Sequence, residues 1–237
     1  AAIIFMFFGG LPFSLFVALL YRGRFDFHKD SQVRAFLFII FVVVGSLTAW
    51  LWIKGEYSLG QALRFSAFNV ISILTSTGFV NTDYMKWGPF AAVVFLFISY
   101  LGACAGSTSG GMKVMRLVIA FETFKIQIKR LLYPNGVFSV RYQGIPLERS
   151  VVQSVLGFLF LYVVVNTVLT IAVTMTGVDF LSAVSSVAAC MTNAGPGIGP
   201  IVGPAGNFST LPDLAKWILS LDMLLGRLEI LTVFVLF

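Results

Sequence analysis

The sequence predicts an all-α polytopic membrane protein made of repeated units of helix, re-entrant half-helix, loop and helix. Three observations support this fold class. First, 58% of the 237 residues are hydrophobic and 11% are charged, against about 25% charged in soluble domains. Second, long stretches carry no charge. Third, the same order of segments occurs twice. A water-exposed fold of this size could not bury so much apolar surface, so much of the chain faces lipid.

Five apolar stretches reach the roughly 20 residues that a hydrocarbon core requires. They are residues 1–21, 35–53, 90–112, 150–178 and 212–237, the last interrupted by Asp222, Arg227 and Glu229. The segments 22–34 and 113–149 together hold 11 of the 16 basic residues and 4 of the 10 acidic ones. The positive-inside rule therefore predicts that both segments are cytoplasmic.

The region 54–89 is predicted to hold a re-entrant half-helix. It must begin and end outside, because 35–53 leaves the cytoplasm and 90–112 returns to it. Residues 59–74 are apolar with a helical rhythm, and Ser58 with Gln61 forms a capping-box pattern at their start. Sixteen helical residues span roughly 24 Å, which is too short for a full crossing.

The same layout is predicted after residue 150. The span 150–176 leaves the cytoplasm, Asp179 is suited to an N-cap, and residues 180–191 form a short apolar helix. Aligning Gly78 with Gly195 superposes the two half-helices and the loops that follow them. The chain is therefore interpreted as an internal repeat of roughly 115 residues.

A glycine-containing loop follows each half-helix, over residues 75–81 and 192–200. Non-helical backbone at membrane depth needs protein or a water-filled cavity to satisfy it. The carbonyl end of a half-helix carries the negative end of its dipole, which favours a cation. Carbonyls of an extended glycine-containing strand can replace the hydration shell of a monovalent ion. The alternative is that both loops are tight extracellular turns.

A third glycine cluster lies inside the span 90–112, over residues 102–111. We interpret it as an intramembrane loop that acts as a gate below the two loops. The alternative is that Gly102 and Gly106 form a small-x-x-x-small helix-packing motif. A serine hydrolase is not expected, because Thr108 takes the central place of the Gly-Ser-Thr-Ser-Gly motif and the single histidine, His28, lies in a basic cytoplasmic segment. We expect no enzymatic activity.

Two basic residues are candidates for the ion path. Arg227 sits in mid-span, where a charge costs about 2.5 kcal/mol or more unless it meets water or a partner. It either faces the pore or pairs with an acid elsewhere in the bundle. Lys113 either faces the pore or is a positive-inside residue at a helix end.

Four motifs together resemble the Trk/Ktr/HKT superfamily of potassium transporters, and most closely its bacterial Trk-type pore subunits. The motifs are residues 75–79, 102–113, 193–200 and 226–229. The family has four such units around one pore, so the resemblance implies a fragment of a longer chain, its C-terminal half. The implied divisions are a last helix of the preceding unit (1–21), a linker (22–34), a third pore unit (35–130), a linker (131–149) and a fourth pore unit (150–237).

The resemblance also implies roles for single residues. It places K+ at the carbonyls of two filter loops, which comprise Thr75, Ser76, Thr77, Gly78, Phe79, Thr192, Asn193, Ala194, Gly195 and Pro196. It places the gate at Gly102, Gly106, Ser107, Thr108, Ser109, Gly110, Gly111, Lys113 and Arg227. The second loop departs from the simpler Ser/Thr-x-Gly form at Ala194-Gly-Pro196.

The resemblance further implies a homodimer in the bacterial inner membrane. It implies a cytosolic TrkA-like regulatory subunit that binds the nucleotide, ATP/ADP or NAD, so that this chain itself carries no cofactor. The expected function is K+ uptake through a gated filter. Two alternatives remain: a cation-coupled secondary transporter with broken helices around 102–111 and 192–200, and a non-transporting scaffold whose glycines pack helices.

Overall fold

The structure, a computed structural model, describes residues 1–23, 27 and 30–228, so that His28 and Glu229 lie outside the described residues. Within these residues the α-helices are α1 (Ala2–Gly9), α2 (Phe13–Arg22), α3 (Ser31–Ile53), α4 (Leu59–Leu74), α5 (Pro89–Ser99), α6 (Val114–Leu132), α7 (Arg149–Thr174), α8 (Phe180–Met191) and α9 (Asp213–Arg227). Short 3-10 helices cover Tyr84–Trp87 and Phe208–Thr210. The fold is that of an all-α membrane protein.

The helices form two units with the same order of elements. In the first, the long helix α3 is followed by the short α4, a loop and α5; in the second, α7 is followed by α8, a loop and α9. Among the described residues, α3 and α7 are each long and apolar enough to cross a membrane. Each unit has its own hydrophobic core, centred on Phe36, Leu47 and Phe95 in the first and on Val173, Val187 and Met191 in the second.

The two short helices predicted at 59–74 and 180–191 are present with these bounds. α4 starts after the capping box of Ser58 and Gln61, in which Gln61 Oε1 accepts a hydrogen bond from the backbone N–H of Ser58 at 3.4 Å. α8 starts at the N-cap Asp179, whose carboxylate accepts from the Ser182 N–H at 3.0 Å. Capping satisfies backbone donors that a helix start leaves unpaired.

The apolar stretch 1–21, predicted as a single span, is broken into two helices. α1 and α2 meet at 95°. Pro12 has an extended backbone at the N-cap of α2, and because proline has no backbone N–H it cannot continue the hydrogen-bond ladder of α1. The N–H of Phe13 instead donates to the carbonyl of Gly106 at 2.9 Å. The bend between α1 and α2 is therefore hydrogen-bonded to the loop that contains Gly106, far away in the sequence.

The predicted span 90–112 is helical only as far as Ser99 and continues as irregular backbone until α6 begins at Val114. The segment after α6, predicted to be cytoplasmic, contains a small antiparallel hairpin that the sequence did not predict. Its strands are β1 (Arg141–Tyr142) and β2 (Ile145–Pro146), with Tyr142 opposite Ile145.

Candidate functional site: two glycine loops and the loop beneath them

The first loop continues directly from the end of α4. Thr75 ends the helix and donates two hydrogen bonds to the carbonyl oxygen of Ile71, one from its backbone N–H at 2.9 Å and one from its hydroxyl at 2.7 Å. The backbone N–H groups of Thr77 and Gly78 both donate hydrogen bonds to the carbonyl oxygen of Ser72, at 2.9 and 3.4 Å. The last carbonyls of the half-helix are therefore partly capped by the loop that follows it.

The second loop repeats this pattern after α8. Thr192 donates its N–H to Ala188 O at 3.2 Å and its hydroxyl to the same oxygen at 2.9 Å. Ala194 and Gly195 donate back to Ala189 O at 3.0 and 3.5 Å, as Thr77 and Gly78 do in the first loop. The agreement extends to individual hydrogen bonds, and it supports the alignment of Gly78 with Gly195.

The two loops share an uncommon backbone conformation. Ser76 and Asn193 have φ angles of 53° and 55°, and Gly78 and Gly195 have φ angles of 77° and 95°. Side chains other than glycine rarely adopt positive φ. In each loop two left-handed residues alternate with right-handed or extended ones, so the chain runs as irregular backbone and not as a turn of helix.

The loops pack against each other. A Cβ atom on Gly78 would overlap the carbonyl oxygen of Ala194 and approach Pro196 Cδ at 3.4 Å. Thr75, Thr192 and Ala194 are buried, which argues against the alternative of exposed extracellular turns. A Cβ on Gly195 would meet nothing within 4 Å among the described residues.

The loop 100–113 lies directly beside both glycine loops. The N–H of Gly110 donates to Ser76 Oγ at 3.2 Å. A Cβ on Gly110 would overlap the Thr192 carbonyl, and one on Gly111 would lie 2.6 Å from Thr192 Cγ2. The helix-packing alternative for Gly102 and Gly106 is wrong, because neither residue lies in a helix.

Most of the remaining contacts of this loop are with the bend between α1 and α2 and with itself. Its bonds to the bend are Cys104 N to Gly10 O at 3.1 Å, Thr108 N to Gly9 O at 3.3 Å, Thr108 Oγ1 to Gly9 O at 3.1 Å and Phe13 N to Gly106 O at 2.9 Å. Within the loop, Ser109 Oγ accepts from the Ala103 N–H and contacts Ser107 Oγ, both at 2.9 Å.

Both candidate basic residues reach the loop. Arg227 donates from Nη1 to the carbonyl of Thr108 at 3.1 Å, and Lys113 Nζ donates to the carbonyl of Ser109. The two side chains line a polar cavity of about 220 Å³ together with residues 107–111 and Gly226. Two positively charged side chains therefore border the side of the loop that faces this cavity.

The structure brings together the residues that the sequence singled out. Both glycine loops, the loop 102–111, Lys113 and Arg227 form one contiguous cluster. Phe79, assigned to the first loop, points away from the buried part of it, with 61% of its surface exposed.

Sequence reasoning missed the residues that support the loops from outside. The hydroxyl of the buried Tyr84 donates to Gly197 O at 2.7 Å and so ties the first unit to the second loop. Burial raises the pKa of Tyr84, which keeps the hydroxyl protonated as a donor. Asn69 holds the far end of the first loop through its contacts with Asn81 and Thr82. A tyrosine and an asparagine in apolar surroundings were the available signals.

Two half-helices that each end in a glycine loop, with an irregular loop packed against both, define an all-α membrane protein of the pore-loop class. The chain belongs to the family described as TrkH: Cation transport protein, whose model matches residues 1–237. It is 40% identical over 233 residues to the Trk system potassium uptake protein TrkI of Halomonas elongata and 37% identical over 229 residues to TrkH of Escherichia coli K12.

These alignments cover 98% and 96% of this chain but 47% and 46% of the two relatives. The crystal structure of the potassium transporter TrkH from Vibrio parahaemolyticus matches with a TM-score of 0.92 and 36% identity, over 99% of this chain and 50% of that one. The chain therefore spans about half the length of the relatives it matches.

Proposed function

We propose that this chain supplies two of the four pore-loop units of a K+ uptake protein. In this proposal 1–21 is the last helix of a preceding unit, 35–130 the third unit and 150–237 the fourth, with linkers at 22–34 and 131–149. The observation that carries the proposal is the bond-for-bond match of the two glycine loops and their packing at Gly78 and Ala194.

The loops suit a dehydrated monovalent cation for two physical reasons. α4 and α8 each end at their loop, so the negative ends of both helix dipoles lie beside it. Backbone carbonyls held in a fixed, irregular conformation can then replace water around the ion. The names of the relatives, potassium uptake proteins, support K+ as that ion.

The loop 102–111 is proposed to be the gate. It touches Ser76 and Thr192 on the filter side, and Arg227 and Lys113 lie on its other side. In this position the loop narrows the route below the filter, and two positive charges add an electrostatic barrier to cations. Opening of the proposed gate requires the hydrogen bonds of this loop with Gly9 and with Arg227 to break.

We further propose the assembly that the family resemblance implies. It is a homodimer in the inner membrane of a bacterium, regulated from the cytosol by a TrkA-like subunit that carries the nucleotide. The basic cytoplasmic segments 22–34 and 113–149 are compatible with this orientation.

The test is ion flux into proteoliposomes that contain the complete transporter chain carrying these residues. K+, Rb+ and Na+ are compared at equal driving force, with and without the regulatory subunit. Passage of K+ and Rb+ with slower Na+ is the expected result. Saturable flux that moves a second ion would favour the coupled transporter, and no flux of any monovalent cation under either condition would overturn the pore proposal.

A further inference from the structure

Gln32 connects the cytoplasmic start of α3 to the loop 102–111. Its Oε1 accepts a hydrogen bond from the backbone N–H of Ala105 at 3.0 Å, across 73 positions of sequence. Only 7% of the Gln32 surface is exposed. A buried amide side chain so near the start of a helix indicates a specific contact, because burial without a partner is costly.

Asp30 fixes the orientation of this side chain. As N-cap of α3, its carboxylate accepts from the Gln32 backbone N–H at 2.9 Å and faces Gln32 Nε2 at 3.4 Å. The amide group is therefore held at both ends, by Asp30 and by Ala105. Its oxygen is aimed at the loop because its nitrogen is engaged with the cap.

We infer that Gln32 is a positioning residue: with its amide oriented by Asp30, it holds the loop 102–111 in the conformation seen here. The inference rests on the proposed gate. It identifies the side chain through which the start of α3 acts on the proposed gate.

The experiment compares the complete chain with Gln32→Met, which keeps the length of the side chain and removes the acceptor. Loss of one hydrogen bond predicts a rise in basal K+ flux of about fivefold without the regulatory subunit. The matched control is Gln153→Met, the same substitution at an exposed position of α7, which should leave the flux unchanged. The K+ over Na+ ratio should stay constant in both, since the filter is untouched.

Thiol labelling supplies a readout that does not depend on flux. Cys104 is fully buried in the loop and Cys190 is buried in α8. In Gln32→Met, a cytosolic maleimide should label Cys104 several times faster, while labelling of Cys190 stays as it was. Unchanged labelling of Cys104 together with unchanged flux would overturn the inference.

A further variant keeps the result interpretable. A chain lacking residues 106–108 tests the gate itself: if it passes no more K+ than the unmodified chain, the gate proposal fails, and Cys104 labelling still decides whether Gln32 positions the loop.

Discussion

Gly78 lies where the two glycine loops meet, and two constraints act on it together. Its φ of 77° disfavours any side chain, and a Cβ atom would overlap the carbonyl oxygen of Ala194. Gly195 shares the first constraint but not the second, since space near it is open. The two loops are therefore equal in backbone conformation and unequal in tolerance to a side chain.

Replacement of Gly78 by serine is predicted to weaken selection of K+ over Na+ in the complete chain. The added side chain must displace the Ala194 carbonyl, and backbone strain of about 1–3 kcal/mol at such a site corresponds to roughly a fivefold to hundredfold change in relative affinity. The measurement is the ratio of K+ to Na+ flux in proteoliposomes.

The control for this substitution is Gly45→Ser, on α3, where a Cβ would meet nothing within 4 Å. It should leave the flux ratio as it is. An unaltered ratio in folded Gly78→Ser protein would remove the basis for assigning this loop to the filter.

Among the elements, α8 depends strongly on its cap, because the helix has only 12 residues and short helices are marginal without tertiary support. Asp179→Ala should lower stability by about 1 kcal/mol, measured as a lower Tm of the purified chain. Asp179→Asn retains an acceptor for the Ser182 N–H and should cost less. Equal losses in both variants would show that the cap contributes through something other than this hydrogen bond.

The same cap predicts a pH dependence. Hydrogen bonding from Ser182 lowers the pKa of Asp179 below its ordinary value of 3.8. The stabilisation is therefore fully present above that value and is lost as the pH falls through the lowered pKa. Comparing Tm between neutral and acidic pH should show a smaller decrease for Asp179→Asn than for the unmodified chain, and identical decreases would contradict the assignment.

The loop 102–111 is held by several hydrogen bonds that a shorter loop could not make. A chain without residues 106–108 loses the contacts of Gly106 with Phe13 and of Thr108 with Gly9 and Arg227. At about 1 kcal/mol for each lost bond, basal flux should rise by more than tenfold. Flux that is unchanged or lost while the protein keeps its Tm would exclude a gate.

The half-helices could be predicted from sequence because their signals are local. Ser58 with Gln61 and Asp179 mark the starts, and apolar length marks the extent. The bend between α1 and α2 could not be predicted in the same way, because the hydrogen bond that it makes, Phe13 to Gly106, joins residues far apart in the chain. Composition had shown only an apolar stretch there.

The candidate site shows the same difference between residues with a local sequence signal and residues whose partners are distant in the chain. Glycine, threonine and serine in short motifs revealed the two loops and the loop beneath them. Tyr84 and Gln32 went unnoticed, because a single polar residue has meaning only through its distant partner, here Gly197 and Ala105. The hairpin was missed because each of its strands has two residues, too few for an alternating pattern.

At the scale of the whole molecule, two units leave the glycine loops open on one side. A Cβ atom on Gly195 would meet nothing within 4 Å among the described residues, and Phe79 is 61% exposed. A cavity of about 390 Å³ beside Asn193 and Gly195 is bordered by α9. Irregular backbone is stable at membrane depth only where protein or a water-filled cavity covers it, so the open side of these loops must face one or the other.

Residues 1–237 alone are therefore predicted to insert into liposomes without conducting K+, whereas the complete chain conducts. In the proposed four-unit arrangement, two loops would supply only half of the carbonyls around an ion, which is too few to replace its hydration shell. The comparison uses equal amounts of inserted protein, with insertion checked by the helical circular-dichroism signal. Selective K+ flux through residues 1–237 alone would mean that two units, alone or paired with a second copy, already close a filter. The four-unit arrangement proposed here would then be wrong.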